Sequence, residues 1–214
     1  LDGVSSLWCN VLGHRVKAID RAVKKQLGKI AHTTFLGLSH PPAIELAEKL
    51  IAIVPKGLTR VFYSDSGSEA MEIALKMAYQ YWQQRGQPKK KKFAKLTNAY
   101  HGDTIGSVSL GGIGLFHQIY KPLLFKTLQI PSPYRYRWES GEDPERVKRE
   151  SLKSMEKVLR EHHGELAALV MEPLMQGAAG MIDQPDGYIS RARELTRKYN
   201  TLLIFDEVAT GFGR

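Results

Sequence analysis

A chain of 214 residues, 43% hydrophobic and 25% charged, is long enough to bury a core and has an ordinary globular composition, which excludes a disulfide-stapled miniprotein, wholesale disorder and a collagen-like rod. Its 31 basic against 22 acidic residues leave a net charge of +9, compatible with nucleic acid, an anionic surface or a phosphorylated cofactor; sign alone does not choose among them. No aliphatic run approaches a bilayer span, the single Cys9 has no internal partner, and no signal-like segment opens the sequence, so a cytoplasmic protein outside the membrane is expected.

From Val16 apolar residues recur at 16, 19, 23, 27 and 30, the spacing of one helical face. Pro41-Pro42 starts a second helix that runs to Val54, before Pro55 and Gly57 break it. The grammar then changes. Arg60 to Ser64 reads as a short strand, Asp65-Ser66-Gly67-Ser68 as a tight polar turn, and Glu69 to about Gln84 as a long helix.

The alternation returns with a strand at Phe93–Thr97, a helix opening near Asp103-Thr104, a charged helix from about Asp143 to His163, a buried strand at Leu166–Met171, a helix at Asp186–Tyr199 and a strand at Thr201–Phe205. Continuous apolar strands separated by helices predict an α/β fold with a mostly parallel sheet covered on both faces. Ile130 to Trp138, with two prolines and three aromatics, reads as an ordered surface loop that caps the core. Lys89–Lys92 reads as a solvated turn entering a strand, because nucleic-acid binding calls for basic residues interleaved with stacking aromatics.

Ligands of open parallel sheets collect beyond the carboxyl ends of the strands. Four places there could carry chemistry. Ser66-Gly67-Ser68 opens a helix and could hold a phosphate on hydroxyls and backbone N–H groups, or simply cap the helix with help from Glu69 or Glu72. Tyr100-His101-Gly102 offers an aromatic plate beside a glycine that permits close approach, although a core tyrosine with a turn reads the same way. Glu172 follows a buried strand, with the polar loop Gln176–Gly180 beyond it. Asp206 ends another such strand, where a carboxylate needs a cation or strong donor, and the protonated ring nitrogen of pyridoxal phosphate is one. No phosphate loop of the Walker type and no metal-ligand cluster is present, so no metal is expected.

The strings Ser64 to Ala70, Tyr100-His101-Gly102, Glu172-Pro173 and Ile204 to Arg214 resemble the class III, fold type I, pyridoxal-phosphate aminotransferases. Ser5 to Trp8, His40 to Ala43, Tyr100 to Thr104 and Gln176 to Met181 resemble most its biotin-synthesis branch, which converts 7-keto-8-aminopelargonate to 7,8-diaminopelargonate. The resemblance implies pyridoxal 5'-phosphate as cofactor, with Gly67 and Ser68 on the phosphate, Tyr100 stacked on the ring, Asp206 at the ring nitrogen and Val208 on the opposite face. It also implies that His101 and Glu172 shape the surroundings and that Trp8 lines the substrate pocket. Residues 1–58 would contribute to a small domain and 59–214 would form the cofactor domain, in a homodimer.

In this family the lysine that anchors the cofactor lies well downstream of the Asp-Glu motif, and none of the eight residues after Asp206 is lysine. The chain is therefore expected to be the N-terminal part of a longer enzyme, with an incomplete sheet and no transamination on its own. Members differ in using S-adenosylmethionine or lysine as amino donor, and Leu7-Trp8, where some carry two tryptophans, resembles the lysine-using kind. The competing readings are a class III ω-aminotransferase acting on ornithine, 4-aminobutyrate or a diamine, and a non-catalytic structural fragment.

Overall fold

The structure, a computed structural model, describes residues 1–137 and 143–213. Trp138 and Arg214, both used in reading the sequence, lie outside the described residues. The chain divides into two compact units, Leu1–Tyr63 and Ser64–Arg214.

The first unit holds a short turn α1 (Ser5–Trp8) and the helices α2 (Lys17–Leu27) and α3 (Pro41–Ile53). All four residues of α1 have positive φ, from 49° to 67°, a left-handed arrangement that costs about 1–2 kcal/mol for each side-chain-bearing residue. Asp2 holds it: Ser6 donates its N–H to Asp2 Oδ1 at 2.9 Å and its hydroxyl to Oδ2 at 2.8 Å, and His14 Nε2 lies 2.8 Å from Oδ2. Those bonds, the Ser6 amide foremost, pull the Asp2 carboxyl down to about 2. α2 forms as its spacing predicts, with Ile19, Val23 and Leu27 exposed. α3 starts on Pro41-Pro42, and Tyr63 donates its hydroxyl to Ala43 O at 2.6 Å.

The predicted strand at Arg60–Ser64 is not formed. Its residues suit a strand, but propensity becomes a strand only through a ladder partner, and among the described residues none pairs with it.

The second unit runs α4 (Gly67–Gln84), β1 (Lys92–Leu96), α5 (Ile105–Leu110), α6 (Gly114–His117), β2 (Leu128–Ile130), α7 (Pro144–His162), β3 (Leu166–Met171), β4 (Met175–Gln176), β5 (Ile182–Asp183), α8 (Tyr188–Lys198) and β6 (Leu202–Phe205). β2-β1-β3-β6 form a parallel sheet in that order, while β4 and β5 pair antiparallel. Alternate strand residues serve opposite layers. Ala94, Leu96, Leu169 and Met171 pack with Met155 and Leu159 of α7 and Tyr188, Ala192 and Leu195 of α8. Phe93, Ala168 and Val170 pack with Met71, Leu75, Ala78 and Trp82 of α4 and Leu110 of α5. Covering both faces is what makes β3 buried at every position.

Three readings change in this unit. Ile130, placed by the sequence in a loop, ends β2, a strand too short to show periodicity and defined only by its pairing with β1. The loop Gln176–Gly180 is in part the β4–β5 hairpin. The lysine tract is not simply solvated: Lys90 is 3% exposed, its ammonium donating to His163 O at 2.6 Å, Leu166 O at 3.1 Å and Asn200 O at 2.6 Å, with the Trp82 ring centroid 4.3 Å away. Among the described residues no helix is long and apolar enough to cross a membrane.

Candidate active site

The carboxyl ends of β1, β3 and β6 and the start of α4 converge. α4 begins on Ser66, whose hydroxyl oxygen accepts the Glu69 N–H at 3.2 Å while Glu69 Oε2 accepts the Asp65 N–H at 2.9 Å. The capping reading of this turn is thus correct, and it leaves the next hydroxyl, Ser68, for other work. Ser68 Oγ accepts the Asp103 N–H at 3.1 Å, and Ser68 O accepts the Ser107 hydroxyl at 3.1 Å. A Cβ at Gly102, where φ is +112°, would overlap Ser68 Oγ, and one at Gly67 would lie 2.6 Å from Val208 Cγ2. Two glycines therefore let the α4 start touch the turn after β1 on one side and the loop after β6 on the other.

Beyond β1, Tyr100 donates its hydroxyl to Asp103 Oδ2 at 2.9 Å; burial, and then the Asp103 carboxylate, push the phenol up to about 12. His101 is buried, and its Nδ1 donates to Asp206 Oδ2 at 2.7 Å. Asp206 follows β6, receives the Val208 N–H on Oδ1 at 3.1 Å, and donates its own N–H to Met171 O at 3.0 Å. His101 Nε2 is buried and has no hydrogen-bond partner among the described residues.

Glu172, 5% exposed after β3, spans two loops: Oε1 accepts the Tyr100 N–H at 3.3 Å and Oε2 the Gly177 N–H at 2.8 Å. Burial raises its carboxyl above the ordinary range, and the two N–H bonds oppose that shift.

Seven of the eight candidate residues, Gly67, Ser68, Tyr100, His101, Glu172, Asp206 and Val208, are thus joined in one network by direct contacts or shared partners. The eighth, Trp8, lies on the left-handed turn of the first unit. Asp103, Ser107, Gly177 and Glu72 also belong to the network. The sequence placed Asp103 in the turn after Tyr100, Gly177 in the loop beyond Glu172 and Glu72 as helix support, but gave no signal for Ser107 or for any of these contacts, because the bonds cross 34 to 39 positions or use backbone N–H groups. Among the described residues no group of three His, Cys, Asp or Glu side chains could hold a metal ion.

The family model described as Aminotransferase class-III matches residues 1–214. The chain belongs to the class III aminotransferases. This class III chain is 55% identical over 213 residues to the adenosylmethionine-8-amino-7-oxononanoate aminotransferase of Anoxybacillus flavithermus, covering all of this chain and 47% of that protein. Among solved structures, the enzyme of the same name from Methanocaldococcus jannaschii matches with a TM-score of 0.90 and 46% identity over all of this chain and 46% of its own. An amine transaminase from an uncultivated Pseudomonas species, solved in its PLP-bound form, matches at a TM-score of 0.91 and 38% identity, over all of this chain and 49% of its own. The chain spans about half the length of the curated relatives it matches.

Proposed function

We propose that the protein to which this chain belongs is a pyridoxal-phosphate-dependent aminotransferase of biotin synthesis that converts 7-keto-8-aminopelargonate to 7,8-diaminopelargonate, and that this chain supplies the greater part of its cofactor site. The His101–Asp206 pair carries the reading: a carboxylate at the end of a sheet strand, oriented by a buried imidazole and a backbone N–H, is built to face a cationic ring nitrogen. The residues fit the cofactor on their own chemistry. A hydroxyl and glycine-bared backbone stand at the first turn of an 18-residue helix, where a phosphate is favoured, and Gly67 and Ser68 would hold it. Tyr100 would stack on one face of the ring, Val208 would cover the other, and Asp206 would take the ring N–H.

Pyridoxal phosphate supplies an electron sink that stabilises the carbanion formed when an amino donor loses its α-proton. The chain's residues prepare that chemistry. His101 fixes the rotamer of Asp206, and Val208 N–H holds the other oxygen. Glu172 ties the Tyr100 backbone to the loop at Gly177, keeping the aromatic plate from shifting. Trp8 would line the substrate pocket. The anchoring lysine would come from outside residues 1–214, and the working form would be a cytoplasmic homodimer.

Names of the relatives support adenosylmethionine as amino donor, and Leu7 beside Trp8 supports lysine. The visible spectrum of the full-length protein tests the function. Loss of the cofactor band on adding 7,8-diaminopelargonate, which runs the half-reaction backwards, is expected. A band that ignores this diamine and responds to ornithine or 4-aminobutyrate instead would move the function to another ω-aminotransferase, and turnover with each donor would decide between adenosylmethionine and lysine.

A further inference from the structure

Glu72 has no place in the roles above, yet it faces the site's most crowded junction. It sits four residues after Ser68, so both side chains leave the same face of α4. Ser68 takes the Asp103 N–H and the Ser107 hydroxyl. Glu72 Oε1 takes the Gly106 N–H at 2.7 Å.

Gly106 is the second residue of α5, and its N–H is among the helix's first amides, which have no acceptor within the helix. The residue before α5, Thr104, does not cap it; its hydroxyl goes to Ser107 Oγ at 3.0 Å. The cap comes instead from a carboxylate on another helix. The fit is close: a Cβ at Gly106 would overlap the Glu72 carboxylate and lie 2.7 Å from its Cδ, so a side chain there displaces the carboxylate from the amide.

The segment so held is the one that carries Tyr100 and Asp103. Tyr100 is fixed through its hydroxyl to Asp103, Asp103 through its N–H to Ser68, and the following helix through Gly106 to Glu72. We propose that Glu72 is a positioning residue that sets the distance between the ring-stacking Tyr100 and the phosphate-binding Ser68, by holding the Gly106 amide against α4. The proposal rests on the cofactor reading above.

The test uses full-length apoprotein titrated with pyridoxal 5'-phosphate, comparing wild type with Glu72→Leu, Glu72→Gln and Gly106→Ala. Readouts are the dissociation constant, the visible circular dichroism of the bound cofactor and its 31P resonance. Losing a charge-assisted bond is expected to weaken cofactor binding about tenfold or more in Glu72→Leu, with altered dichroism and a shifted 31P signal. Glu72→Gln keeps an acceptor oxygen and is expected within about threefold of wild type, whereas Gly106→Ala should behave like Glu72→Leu because its methyl displaces the carboxylate.

A merely structural role would lower thermal stability without moving the 31P signal or the dichroism. If Glu72→Leu does not fold, Glu72→Asp, one methylene too short to reach, takes its place with the same expectation. Wild-type affinity and spectra in both the shortened or apolar variant and Gly106→Ala would overturn the proposal, as would a Glu72→Gln as defective as Glu72→Leu. A wild-type protein that binds no cofactor would instead overturn the underlying reading.

Discussion

Replacing Lys90 with Met removes the ammonium that ties together three carbonyls, those of His163, Leu166 and Asn200, at the amino-terminal edges of β3 and β6. Methionine keeps the length and apolar stem, so the loss is confined to the charge and its bonds. Three charge-assisted bonds at roughly 1.5–3 kcal/mol each are offset by the several kcal/mol needed to desolvate an ammonium, leaving about 2–4 kcal/mol. That burial cost is visible in the lysine itself, whose pKa is lowered by it. Hydrogen exchange of the full-length protein, read by mass spectrometry on peptides spanning 159–170 and 196–204, is the assay. Exchange there should quicken roughly 30- to 700-fold at about 1.4 kcal/mol per decade, while peptides of α2 keep their rates. Rates within about threefold of wild type at both segments would refute the reasoning and return Lys90 to the solvated turn that its sequence context suggests.

Two further outcomes concern pH. The Lys95 amine, buried and donating to Ser109 O at 3.1 Å and to Gly111 O, is pushed down by burial to about 8. Because the folded value lies below the unfolded one, its contribution is most favourable above about 10.5 and is lost as pH falls through about 8; stability of the wild type relative to Lys95→Met should therefore climb between pH 8 and 10, and parallel unfolding profiles would refute it. For the left-handed turn, the stabilisation from Asp2 is present above its ordinary carboxyl range and lost as pH falls through about 2. The Ser6 amide resonance should titrate with a midpoint near 2, and a midpoint near 4 would show that Asp2 does not hold the turn.

The layers of the second unit were legible in the sequence because their causes are local. β3 reads as a strand from six consecutive apolar residues, and α4 from its cap and helical spacing. The candidate residues at strand ends were legible for a topological reason: once the sheet is parallel, the residues after each strand share one edge. Arg60–Ser64 shows the limit, since it has a strand's residues but pairs with none of the described residues, while Leu128–Ile130 has too few residues to signal a strand and becomes one by pairing with β1.

Chain order and residue type therefore determined which elements could form and which side chains would stand at the sheet's carboxyl edge. Tertiary structure decided how those side chains are used. That His101 serves Asp206 across 105 positions, that Glu172 braces Tyr100, that Glu72 caps a helix not its own, and that one lysine of four in a row is buried while Lys89 and Lys91 are exposed, all depend on partners brought close only by folding. A hydrogen bond acts over about 3 Å of space, and no local pattern in the sequence records which distant atoms the fold places within that reach.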